Sequence, residues 1–332
     1  MKNLRAVLLV AVLLGTTVLA QTPSEQIDSH IAAARAAAGQ EYRATFVNLC
    51  LPSPPRGGGP GPARGGAPAP PPTPDRATWY APPFKVFDNL YWLGTRQHSS
   101  WALQTSAGII IIDTNFAWAT GPEIIEGINT LGLNPRDIKY VIISHAHGDH
   151  DQGAAELQKR FGAQVVMGTP DWDATLQRPA TAPGGVPKRD LAVGPEGRKL
   201  TLGDTSVEIV ATPGHTPGTL SYVFPVKDRG RTLMVAYSGG TLTGAFGTDG
   251  ARWDEYVASQ RKIAKVAADA KASVMLSNHS EYDGAYTKAR LIAAPRQPGE
   301  DHPFIVGTDA VQRYFTVMAE CAMASKLRAG AR

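Results

Sequence analysis

Residues 144–150 read Ser-His-Ala-His-Gly-Asp-His and follow the apolar run Tyr140-Val141-Ile142-Ile143. Such a run reads as a buried strand, so the pattern H-x-H-x-D-H lies on a loop carried by a sheet. Three imidazoles and one carboxylate within six residues are ligands for zinc and related borderline metals. A structural zinc site would more often use cysteine, and none is near. Histidine and aspartate with an open coordination position read as catalytic. A lone histidine at a strand end is usually just solvated or hydrogen-bonded. Four donors at this spacing are hard to reach by chance.

Two further histidines extend the pattern. His215 lies in Thr212-Pro213-Gly214-His215-Thr216-Pro217-Gly218, between two Gly/Pro turns that fix a loop. His279 follows the apolar run Ser273-Val274-Met275-Leu276. Either alone would be read as structural. With the first motif they supply enough ligands for two sites.

These motifs resemble the metallo-β-lactamase superfamily. The likeness runs from about residue 84 to residue 279. It includes 84–94, similar to the opening strand pair of that fold, and Gly108-Ile109-Ile110-Ile111-Ile112-Asp113, similar to its buried strand ending in Asp. It is greatest to the third, histidine-rich subclass of zinc β-lactamases. The resemblance implies an α+β fold, a four-layer αβ/βα sandwich with the ligands on loops at one edge. It also implies two zinc ions per chain: His145, His147 and His215 on the first, Asp149, His150 and His279 on the second. Asp149 would be the catalytic carboxylate, orienting a zinc-bound hydroxide and passing a proton to the leaving group. One departure narrows the choice. Many superfamily hydrolases place a bridging Asp after the strand that here spans 231–237, and the first β-lactamase subclass places a Cys there. This chain has Ser238-Gly239-Gly240-Thr241, which argues against the glyoxalase and common lactonase patterns.

The expected activity is therefore β-lactam ring opening on a small-molecule substrate. A dizinc hydrolase of a lactone or thioester is the alternative, and a non-catalytic zinc-binding protein a weaker one. No G-x-S-x-G elbow or phosphate loop competes. Against the β-lactam expectation, a long basic and Pro-rich insertion follows Ser280-Glu281-Tyr282-Asp283-Gly284 and runs to Pro303; it is expected to border the metal edge, where it could shape a different substrate.

Residues 1–20 read as a secretory signal peptide, with Lys2 and Arg5 before a short apolar core and Val18-Leu19-Ala20 as the cleavage pattern. The expected location is a periplasm or outside the cell. The formal charge is +4, and removing Lys2 and Arg5 leaves +2. With no basic stretch interleaved with aromatics, nucleic acid is not an expected partner. No other run is long enough for a membrane span. Cys50 and Cys321 are the only cysteines; a disulfide and two free buried thiols are both open readings.

Residues 21–51 form an N-terminal helical segment, with a helix over 24–44 capped by Ser24 and a face of Ile27, Ile31 and Ala34. Residues 52–77 are a Pro/Gly-rich linker, and 78–332 the hydrolase domain. Within it, strands are expected over 86–93, 101–105, 109–112, 140–143, 164–167, 198–202, 206–211, 220–224, 232–237 and 273–276. Helices are expected over 122–131, 153–161, 254–267 and 308–328, the last with Val311, Phe315, Met318 and Ala322 on one face. Residues 178–189 are a loop.

Overall fold

The computed structural model describes residues 21–52, 73–241 and 246–331. The expected signal peptide and most of the linker lie outside the described residues.

Strands β1 (Phe84–Lys85), β2 (Leu90–Trp92), β3 (Trp101–Thr105), β4 (Gly108–Ile112), β5 (Ile138–Ile142), β6 (Gln164–Gly168) and β7 (Leu191–Val193) form one sheet in that order. It is antiparallel as far as β4 and parallel from β4 to β7. Strands β8 (Arg198–Leu202), β9 (Thr205–Ala211), β10 (Leu220–Asp228), β11 (Arg231–Ser238) and β12 (Val274–Ser277) form a second sheet, ordered β12-β11-β10-β9-β8. Only the β11–β12 pair in it is parallel.

Side chains alternate across a strand, and β4 shows what that alternation builds. Ile110 and Ile112 point between the sheets, where they meet Trp101, Leu103, Ile142, Tyr222, Phe224 and Leu276. Ile109 and Ile111 point outward to Ile124, Ile128, Leu157 and Trp172 on the helices of the first half. A strand buried on both faces needs an unbroken apolar run. The second sheet does the same: Val235 and Tyr237 face inward, while Ala236 and Met275 face Trp253, Val311, Phe315 and Met318. Three apolar layers thus separate helix, sheet, sheet and helix, the four-layer sandwich that the resemblance implies.

Several boundaries differ from expectation. The N-terminal helix is two, Pro23–Ala38 and Arg43–Cys50, broken at Gly39, whose φ of +54° leaves the helical region. Its cap is Thr22 rather than Ser24: Thr22 accepts from the Glu25 N–H, Glu25 returns to the Thr22 N–H, and Pro23 takes the first turn. Ala34, Ala38, Tyr42, Phe46 and Leu49 pack on the C-terminal helix Thr308–Arg328, and Cys50 is bonded to Cys321. Of the run 86–93 only Leu90–Trp92 is strand, and residues 86–89 form the turn that joins it to β1. The helix expected from 122 starts earlier, at Ala117–Ala119, and Pro122 falls within the wide π turn Thr120–Ile125 that continues into Glu126–Thr130. Helix Thr169–Leu176 and β7 were not expected; both are short and flanked by Gly or Pro.

Only the start of stretch 281–303 borders the metal edge, where the Tyr282 ring meets that of His279 at 5.8 Å. The stretch leaves that edge through helices Ser280–Asp283 and Ala285–Leu291 and reaches the opposite end of the sandwich. There Arg296 donates twice to Asp228, at the far end of β10, and His302 Nε2 lies 2.7 Å from the Val86 carbonyl.

Candidate metal centre

The parallel strands β4, β5, β11 and β12 end at one edge, and the ligand loops start there. Asp113 follows β4 and is fully buried. Its carboxylate accepts from the Ser144 N–H (2.7 Å), the Ser144 hydroxyl (2.8 Å) and the Tyr237 hydroxyl (2.8 Å). It thereby fixes the end of β5 and reaches across to β11. Its Oδ2 also lies 3.2 Å from His150 Nδ1.

Beyond Ser144 the chain turns through His145 and His147 into the short helix Gly148–Asp151, which carries Asp149 and His150. His145 Nδ1 lies 2.9 Å from the Gly239 carbonyl. A carbonyl only accepts, so Nδ1 carries the proton and Nε2 presents a lone pair. That Nε2 is 3.1 Å from His215 Nε2, which is 3.1 Å from His147 Nδ1. In the second cluster Asp149 Oδ2 lies 3.1 Å from His150 Nε2 and 3.3 Å from His279 Nε2, and the two imidazole nitrogens are 3.2 Å apart. Asp149 is also grouped with His145 and His150, so the clusters adjoin.

These spacings fit zinc. With bonds of about 2.0 Å, the edge of a tetrahedron is about 3.3 Å. Two imidazole lone pairs held this close repel unless a cation or proton lies between them. All six expected ligand residues are brought together.

Burial keeps most of the imidazoles in the neutral, ligating form. Desolvation and neighbouring histidines push His215 down to about 3, and His145 well below its ordinary value. His147, nearer solvent, is also lowered, chiefly by burial. His150 is the exception. Burial opposes its charge, but the Asp149 and Asp113 carboxylates on either side raise it to about 10. Burial would raise Asp149, yet His150 and His279 hold it far below the carboxylate range.

Residues that sequence reasoning missed hold the loops. Asp171, in helix Thr169–Leu176, accepts from the Ala146 N–H (2.7 Å), the Thr216 hydroxyl (2.7 Å) and the Gly218 N–H (2.9 Å). One buried carboxylate thus pins the His145–His147 loop and the His215 loop together. Arg178 donates to the Ala146 carbonyl and pairs with buried Asp151, each at 2.6 Å. Arg252 donates to the Gly214 and His215 carbonyls (3.2 and 3.1 Å). Gly214 has φ +135°, and a Cβ there would lie 2.7 Å from the Tyr256 backbone, so the glycine is required. Asn278 Nδ2 donates to the Gly239 carbonyl (3.0 Å). His98, on the β2–β3 connection, also reaches the cluster: its Nε2 is 3.6 Å from Asp149 Oδ2. Burial and then His279 push its pKa down to about 3. Beside it stands an aromatic wall in which Phe116 stacks on Trp118 (5.0 Å) and Trp118 meets Trp79 (4.6 Å). No sequence spacing ties these residues to the metal motif.

Comparison with known proteins agrees with the geometry. A family model described as the metallo-beta-lactamase superfamily matches residues 93–229. The fold is similar to BJP-1, a subclass B3 metallo-beta-lactamase of Bradyrhizobium japonicum: TM-score 0.59 and 32% identity, covering 73% of this chain and 93% of that one. It is also similar to FEZ-1 from Legionella gormanii, with TM-score 0.60 and 24% identity, covering 72% of this chain and 93% of that one. By sequence, the chain is 34% identical over 133 residues to a hydroxyacylglutathione hydrolase of Acidiphilium cryptum, a match covering 36% of this chain. It spans about half (49%) of that relative's length.

Proposed function

The chain belongs to the metallo-beta-lactamase superfamily of hydrolases, and we propose that it opens β-lactam rings with two zinc ions per chain. His145, His147 and His215 would hold the first ion, and Asp149, His150 and His279 the second. The observation that carries this reading is the end of β11. There the backbone carbonyl of Gly239 faces the clusters, accepting from Asn278 and His145. No carboxylate is present at that point to bridge the two ions, as the glyoxalase and lactonase patterns require. The likeness to a subclass B3 enzyme supports the same choice.

When bound, the ions would supply an ionised water near neutral pH and a Lewis acid for the carbonyl. The protein does the rest. Asp149 lies where the two clusters meet and stays ionised, so it orients attacking solvent through a hydrogen bond. The same carboxylate would pass the proton it receives to the leaving nitrogen. Asp113 and Asp171 fix the ligand loops, so little reorganisation accompanies the reaction. Phe116, Trp118 and Trp79 offer an apolar face to a substrate side group.

Thioester hydrolysis is the second reading, favoured by the hydroxyacylglutathione hydrolase relatives. Export is part of the proposal: the sequence of residues 1–20 and the Cys50–Cys321 bond support an oxidising compartment. Among the described residues no helix is long and apolar enough to cross a membrane.

Purified protein should hold about two zinc ions and hydrolyse a chromogenic cephalosporin; chelation should abolish turnover and zinc restore it. Fast turnover of a hydroxyacylglutathione or an acyl lactone with no cephalosporin signal would replace the β-lactam reading while leaving the hydrolase intact.

A further inference from the structure

We propose that His98 is a fourth protein ligand of the second metal subsite, beside Asp149, His150 and His279. The inference rests on the two-ion reading above and adds a residue that the resemblance does not supply.

The backbone puts His98 there. Residues 97–99 run antiparallel to 278–280: His98 and His279 form a bridge pair, the Ser99 N–H donates to the Asn278 carbonyl (2.9 Å), and the Ser280 N–H donates to the Gln97 carbonyl (2.8 Å). Directly paired residues project their side chains to the same face, and the two imidazoles stand 4.9 Å apart by ring centroid. A ligand loop of the second half is thus clamped to a histidine of the first.

The side chain is then aimed. His98 Nδ1 lies 3.3 Å from the hydroxyl of buried Thr95, which itself accepts from the His98 N–H (2.9 Å) and the Gln97 N–H (3.3 Å). Phe116 packs edge-on against the ring at 5.1 Å. Metal-binding histidines usually have their second nitrogen fixed in this way. The free nitrogen, Nε2, is 3.6 Å from Asp149 Oδ2, the same oxygen that lies 3.1 and 3.3 Å from the His150 and His279 nitrogens. His98, Asp149 and His279 each bring one donor atom to within 4.8 Å of the other two.

A fourth protein ligand gives the two subsites different characters. The first would leave a position open to solvent, as a catalytic zinc requires, whereas the second would be held by four side chains. The second ion would be the more tightly kept, and would meet a substrate only by expanding its coordination.

The test compares His98→Ala and His98→Gln with the full-length wild type, reading ion stoichiometry, chelator competition for each ion, and the visible spectrum of the cobalt-substituted protein. Glutamine keeps a hydrogen bond to Asp149 but is a poor zinc ligand. Both variants should weaken the second ion about 100-fold or more, leave the first unchanged, and lower the intensity of the tetrahedral cobalt band. Metal-free melting temperatures should match, placing the loss in binding rather than folding. An unmoved second ion in His98→Ala, or wild-type affinity restored by His98→Gln, overturns the inference and leaves the two-ion site standing. A wild type that takes up one ion overturns both.

Discussion

The first half of the sandwich, through β7, brings His98, His145, His147, Asp149 and His150 to the metal edge; the second half brings His215 and His279. Their outer layers are built the other way round. The first half is covered by short helices, eight residues in Ala154–Phe161 and in Thr169–Leu176. The second is covered by Gly250–Asp269 and Thr308–Arg328, 20 and 21 residues long, with the N-terminal helices stapled outside them. Crowded donors require short connections and buried acceptors, so the first half carries Asp113 and Asp171, each accepting from both halves. The second half contributes donors and long apolar faces. The site forms only when the halves dock, and the docking bonds include those of two carboxylates and the backbone pairing of 97–99 with 278–280.

The largest effect should come from Asp113→Asn, which keeps the shape but removes an acceptor shared by Ser144, Tyr237 and His150. Losing one partner of such a buried network costs about 3–5 kcal/mol. The second ion should also weaken by about 10–100-fold, because His150 loses its backing. Urea unfolding of the metal-free protein and chelator competition measure the two separately. A wild-type midpoint would mean that the halves dock without this carboxylate.

Next is Cys50→Ser with Cys321→Ser, expected to cost about 2–5 kcal/mol. Tyr42, Phe46 and Leu49 remain buried against the C-terminal helix, each worth about 1.5–3 kcal/mol, so the segment should stay docked. Thermal midpoint should fall while zinc content and turnover hold. Lost zinc would show that the staple reaches the site and that the two outer layers are not independent.

The smallest belongs to the first half's outer layer. Glu123 is fully buried, takes one long bond from the Ala81 N–H (3.4 Å), and is pushed up to about 8 by burial. A carboxyl raised on folding binds more protons in the native state, so its stabilisation is complete below about 4.5 and is lost as pH rises through 8. Glu123→Gln should flatten that slope and gain about 1–2 kcal/mol at pH 9. An unchanged pH profile would place the ionised group in contact with water.

What the sequence showed follows the same division. The donors of 145–150 are legible because strand, short loop and helix compress them into one motif. The C-terminal helix is legible because Val311, Phe315, Met318 and Ala322 repeat along one buried face. His98 and Asp171 are not. Their roles come from a backbone bridge to His279 and from bonds to Ala146, Thr216 and Gly218, all remote in sequence. Helical periodicity runs through Gly39 in the sequence, but its positive φ turns the chain there.

The bond from Cys50 to Cys321 spans a sequence separation of 271 residues. Mechanically, it makes a closed loop of everything between, with both sheets and every metal ligand inside it and only the two ends outside. Tension applied by pulling on the two ends passes through the sulfur bridge and bypasses the strands. A machine that unravels proteins by threading them from one end would lift the outer helical segments, meet a doubled chain at the bridge, and find the catalytic edge still under no load.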